Sequence, residues 1–162
     1  MNVFRRLVKE AVRSWNNTHL MDLPGTIRMS VDVYTKSTCV DAKDINNGLC
    51  MDFAEYVIDK CGGESDDLFA VDDTFFYVET IEEANENGWP DVIFDSEGGC
   101  WNKEFLNLYG YPKGGVDNAP IGAHGWIIFK NRHYDSEAPD GVDSPWDLPI
   151  FKRIAARKGS SR

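Results

Sequence analysis

The chain has 162 residues, 42% of them hydrophobic and 27% charged, which fits one globular domain and excludes a disordered chain. No apolar run approaches the ~18 residues of a membrane-spanning helix. The formal net charge is −10, with Arg5, Arg6, Lys9 and Arg13 at one end and Lys152, Arg153, Arg157, Lys158 and Arg162 at the other, around a strongly acidic body that repels phosphate backbones and argues against nucleic acid as a ligand.

Val3, Phe4, Leu7, Val8, Ala11, Val12 and Trp15 form a helical stripe over residues 2–15, too interrupted for the apolar block of a signal peptide, so a cytoplasmic site of action is expected. Ile27, Met29, Val31 and Val33 alternate with polar residues, the pattern of a half-buried strand. A polar loop follows to Gly48. In CMDFAEYVIDKCGG, residues Cys50, Phe53, Ala54, Val57, Ile58 and Cys61 fall on one face of a helix that Gly62 should stop.

Residues 75–79 read as a strand, Thr80 and Glu83 as the capping box of a short helix, and 91–95 as another strand. The glycine-rich stretch 96–122 reads as a long loop with a short helix near 102–109, and a loop of that length is often functional. Residues 124–130 and 133–137 form a hairpin about Asn131-Arg132, with His133 at an exposed turn. After an extended segment, residues 151–162 read as a basic, solvated tail. The order predicts an α+β fold, residues 1–150 forming a single domain with helices packed on a mainly antiparallel sheet.

Four cysteines are present: Cys39, Cys50, Cys61 and Cys100. None stands in a CxxC or CxxH arrangement, so no metal site is expected. A thiolate is favoured at a helix N-terminus, where backbone N–H groups and the dipole attract negative charge. Cys50 alone has that setting, whereas Cys61 lies at the unfavourable end of the same helix. Of the histidines, His19 lies in a polar linker and His133 at the hairpin turn. His124 begins a strand after the glycine-rich loop, which makes it the candidate base. With Asn131-Arg132 as a two-residue turn, His124 falls opposite Pro139, and Asp135 and Glu137 share its face. Glu137 is then the nearer acid, and the register alone leaves both open as the group that orients the imidazole.

The run N-G-L-C-M-D-F-A at 47–54, followed by H-G-W-I at 124–127 and Y-D at 134–135, resembles the papain-like cysteine hydrolase superfamily, in particular its transglutaminase-like and NlpC/P60-like groups. The resemblance covers residues 47–137. It implies Cys50 as nucleophile, His124 as base and Asp135 as orienter, with Glu137 the alternative, and no cofactor. Papain itself takes an oxyanion donor from a glutamine before the cysteine. This chain contains no glutamine, so Asn46, Asn47 or a backbone N–H is the candidate. The implied reaction is acyl transfer from a peptide or protein amide through a thioester, as in a cysteine peptidase, isopeptidase or amidase. A transglutaminase-like acyl transferase and a catalytically silent binding module are the alternatives. Trp101, Trp126, Tyr109 and Tyr111 are candidates for the cleft walls, with core packing the competing role for Trp126.

Overall fold

A computed structural model describes residues 22–61, 69–71 and 73–158. The helix expected over 2–15 lies outside the described residues.

The first described element, α1 (Leu23–Thr38), replaces the strand expected at 27–33. Asp22 caps it by accepting the Gly25 N–H at 3.1 Å, a proline sits in the first turn, and Cys39 ends it in the left-handed region at φ 59°. Leu23, Ile27 and Ser30 form its buried face, with Val31 and Tyr34 packed beside them. Met29 and Val33, half of the apparent alternation, are 72% and 47% exposed. A period near 3.6 therefore underlies a pattern that also fits a period of 2.

The stretch expected as loop contains α2 (Ala42–Asn46), closed by a reciprocal capping box between Asp41 and Asp44. The helix opened by Cys50 is present as α3 (Cys50–Lys60), with Phe53, Ala54, Val57 and Ile58 buried. It packs on α1, where Tyr34 meets Phe53 edge-on at 5.5 Å, and on the sheet behind it.

Among the described residues there are two three-stranded antiparallel sheets. In the first, β1 (Phe69–Val71) and β6 (Arg132–Tyr134) flank β5 (Trp126–Phe129). The hairpin turn is Lys130-Asn131, both at positive φ (48° and 61°) as in a type I′ turn, one residue earlier than expected. Ile128 consequently pairs with His133, and Ile127 with Tyr134. In the second sheet, β4 (Cys100–Asn102) lies between β2 (Tyr77–Val78) and β3 (Val92–Phe94). The strand at Cys100 is an addition to the expected loop. Two short helices border this sheet: α4 (Ile81–Glu86), with the expected Thr80/Glu83 box, and α5 (Lys103–Tyr109), capped by Asn102.

Residues 149–158 form a helix, α6 (Pro149–Lys158), where a solvated tail was expected from 151. Its first turn inserts Ile150 and Phe151 into the core. The Phe76 ring stacks on Trp101 at 5.7 Å and on Phe105 at 5.0 Å. It also meets Trp126 at 6.0 Å and Phe151 at 6.3 Å. This aromatic cluster fastens α6 and both sheets into one core, and it fixes the side of β5 on which the site is built. The architecture is α+β.

Candidate active site

Cys50 is the first residue of α3 and is half-buried. No side chain caps this helix, so its first N–H groups are left for an anion. The start of β5 comes directly against it: the Gly125 N–H donates to Cys50 Sγ at 3.3 Å. The approach depends on glycine, because a Cβ at 125 would run into the Met51 sulfur and lie 3.5 Å from Met51 Cα.

His124, one residue before, is 1% exposed. Trp126 stacks against its ring at 6.0 Å and Phe151 meets it edge-on at 5.7 Å. Its Nε2 lies 3.1 Å from Asp135 Oδ2. An ionised carboxylate only accepts, so Nε2 carries the hydrogen and Nδ1 is left for the thiol. Nδ1 is buried without a closed hydrogen bond, while the ring and the Cys50 thiol stand close enough to shift each other's proton equilibrium. That looseness suits a resting site.

The electrostatics oppose burial at both ends of the pair. Burial pushes the Cys50 thiol up, but His124 and the N–H groups of Gly125 and Met51 outweigh it and bring it below the ordinary thiol value. Burial pushes His124 down, but Asp135 and Cys50 outweigh it and carry the imidazole above its ordinary value. Both shifts favour a thiolate beside an imidazolium. Cys61 and Cys100 go the other way, their thiols raised chiefly by burial, and Cys39 is exposed at the end of α1.

Asp135 follows β6 directly and is 2% exposed. Its Oδ1 accepts the N–H groups of Glu137 at 2.9 Å and Ala138 at 2.8 Å, a local turn that aims Oδ2 at His124. Between the two acids, the structure therefore puts Asp135 on the imidazole. Glu137 turns away and takes both arms of the Arg153 guanidinium at 2.6 Å each.

Asn46 is not available as an oxyanion donor. Its buried Nδ2 donates to Asp135 Oδ2 at 3.0 Å and to Glu137 Oε2 at 2.9 Å, and its Oδ1 lies 2.7 Å from Ser136 Oγ. Asn47 is exposed on the turn leading to Cys50. Trp101 and Trp126 are buried in the aromatic cluster, the packing role rather than an exposed wall. Tyr109 is half-buried between Phe105 and His133. Tyr111 is exposed and lines a cleft of about 360 Å³ with Lys113, Trp146 and Lys152, across Phe151 from His124.

His133 is not exposed: it is buried, and its Nδ1 accepts the Trp126 Nε1–H at 2.9 Å. Sequence reasoning also passed over Gly125, Ser136, Phe151 and Arg153. Gly125 had a signal, since a glycine directly after the candidate base marks close backbone approach. Arg153 had none, because its partner is set by tertiary packing. Among the described residues no group of three His, Cys, Asp or Glu side chains is placed to hold a metal ion, and no helix is long and apolar enough to cross a membrane.

Compared with protein-family models, curated proteins and solved structures, the chain matches none.

Proposed function

We propose that this chain is a thiol-dependent hydrolase of the papain-like kind, a cysteine peptidase, isopeptidase or amidase acting through Cys50, His124 and Asp135. One observation carries the reading. A histidine buried at the start of β5 meets a helix-N-terminal thiol on one side and a carboxylate from beyond β6 on the other. Cys50 comes from a part of the chain distant from the hairpin that carries His124 and Asp135, and the thiol and the imidazole are shifted in the directions that nucleophilic catalysis needs.

In the first half-reaction the Cys50 thiolate attacks the carbonyl carbon of an amide. The charge that develops on oxygen faces the uncapped N-terminus of α3, where the Cys50 N–H and the exposed Asn47 side chain are the candidate donors. The imidazolium of His124 gives its Nδ1 proton to the leaving amine as the C–N bond breaks, and a thioester remains. In the second, His124 takes a proton from water, the hydroxyl adds to the thioester carbonyl, and the C–S bond breaks, releasing the acid and restoring the Cys50 thiolate beside the imidazolium. Asp135 holds the ring in the Nε2–H tautomer throughout.

The test is alkylation by iodoacetamide, resolved cysteine by cysteine. At neutral pH Cys50 should react much faster than Cys39, and His124→Ala should remove the difference. Equal rates for Cys50 and Cys39 would defeat the reading. Turnover of a peptide and isopeptide library, with Cys50→Ala as the blank, then distinguishes a hydrolase from a silent module. Adding a primary amine to the trapped thioester distinguishes water from amine as acceptor.

A further inference from the structure

Beside the three groups described lies a second carboxylate that the chemistry does not use. Glu137 shares the Asn46 amide with Asp135, so the two acids stand within about 6 Å of one another. Asp135 bonds the imidazole directly, and Glu137 adds a second negative charge next to that carboxylate, one amide away. Extra negative charge raises the proton affinity of the ring and also that of the thiol. The structure answers the second charge with Arg153, whose fork closes on Glu137 from α6.

We propose that Arg153 is a positioning residue of the active site: by neutralising Glu137 it leaves His124 facing one net negative charge, and so keeps the Cys50 thiolate accessible near neutral pH. The inference rests on the Cys50–His124–Asp135 reading. It makes a helix that the sequence presents as a basic tail part of the site's electrostatics.

The surrounding groups support this assignment. His124 is faced by Cys50 from α3 and Asp135 from beyond β6, and its other neighbours, Trp126 of β5 and Phe151 of α6, are apolar. Arg153 is faced by Glu137, Asp135 and Asp41, the cap of α2. Among the described residues His124 is the cation on Asp135 and Arg153 the one on Glu137, so the charge of Arg153 has no substitute at Glu137. The Arg153 and Glu137 side chains are 27% and 16% exposed, so water screens the effect only in part.

The experiment is the pH dependence of Cys50 alkylation in four proteins: wild type, Arg153→Gln, Glu137→Gln and the double variant. Removing only the cation should raise the inflection by about half a pH unit to one pH unit, a fall of about three- to ten-fold in alkylation rate at pH 6. Glu137→Gln should lower the inflection. The double variant removes one charge of each sign and should return it close to wild type. If Arg153→Gln fails to fold, Arg153→Lys at low and high salt takes its place, with the wild-type inflection kept at low salt and moved at high salt.

A purely structural Arg153 predicts lower melting temperatures with one common inflection, and that result overturns the proposal. A wild-type inflection at the value of an ordinary exposed thiol counts instead against the hydrolase reading. The order of the four inflections still tests the role of Arg153 in that case.

Discussion

His133 makes stability depend on pH in a way that can be calculated. Its ring is 1% exposed and Nδ1 accepts the Trp126 Nε1–H at 2.9 Å. A neutral ring that accepts at Nδ1 carries its hydrogen on Nε2, so an added proton must go to Nδ1 and eject the indole N–H. Burial accordingly holds this histidine down to about 4. Its folded value lies below its unfolded value of ~6.5, so its contribution is fully present above pH 6.5 and is lost as the pH falls through 6.5 toward 4. With those two values the loss is about 1.4 kcal/mol at pH 5.5 and about 3 kcal/mol at pH 4. The assay is urea unfolding of wild type and His133→Gln at pH 7.5, 5.5 and 4. Glutamine keeps an acceptor for Trp126 and does not titrate, so the wild-type midpoint should fall more steeply with acid than that of the variant. Parallel midpoints would refute the reasoning, because every other titrating group is common to the two proteins.

Three further predictions concern the site and its supports. Asp135→Asn keeps the shape but offers His124 an N–H in place of a carboxylate oxygen, which favours the wrong tautomer; alkylation of Cys50 at pH 6 should slow by about 10²-fold or more, read against an unchanged rate for Cys39. Asn46→Ala removes the amide that holds Asp135 and Glu137 together and takes an acceptor from Ser136; thermal unfolding should show a loss of about 2–3 kcal/mol. Phe151→Ala opens a hole against His124, Trp126 and Phe76; a loss of about 3–5 kcal/mol in urea unfolding is expected, together with a slower reaction at Cys50.

The parts of this molecule that local chemistry dictates were legible in the sequence. The helix at Cys50 announces itself by six apolar positions on one face, and Thr80 with Glu83 closes its box as the sequence implies. The juxtaposition of Cys50, His124 and Asp135 was anticipated from helix polarity, strand position and resemblance taken together. The failures share one physical cause, namely that burial is decided by partners distant in the chain. Residues 27–33 satisfy two periodicities, and packing against α3 selects the helical one. The hairpin turn moved by one residue because Lys130 and Asn131 both take positive φ, which nothing in the alternation of β5 reveals. Residues 151–158 are rich in charge, yet Ile150 and Phe151 suffice to seat a helix once an aromatic pocket exists to receive them. The choice of Asp135 over Glu137 depended on an Arg153 clamp and a turn at Asp135, both invisible to simple ladder counting. Among the described residues the single sheet expected is two, joined through the Phe76 cluster.

The dependence of the site on α6 has a consequence for how the protein is born. Cys50, His124 and Asp135 all precede Phe151 and Arg153 in the chain, so a ribosome completes the thiol, the imidazole and the carboxylate before it makes the ring that packs on His124 and the guanidinium that holds Glu137. A nascent chain halted just short of α6 carries all three groups and yet lacks the helix whose Phe151 packs on His124. The core that holds Cys50, His124 and Asp135 together is therefore completed only once α6 has been made.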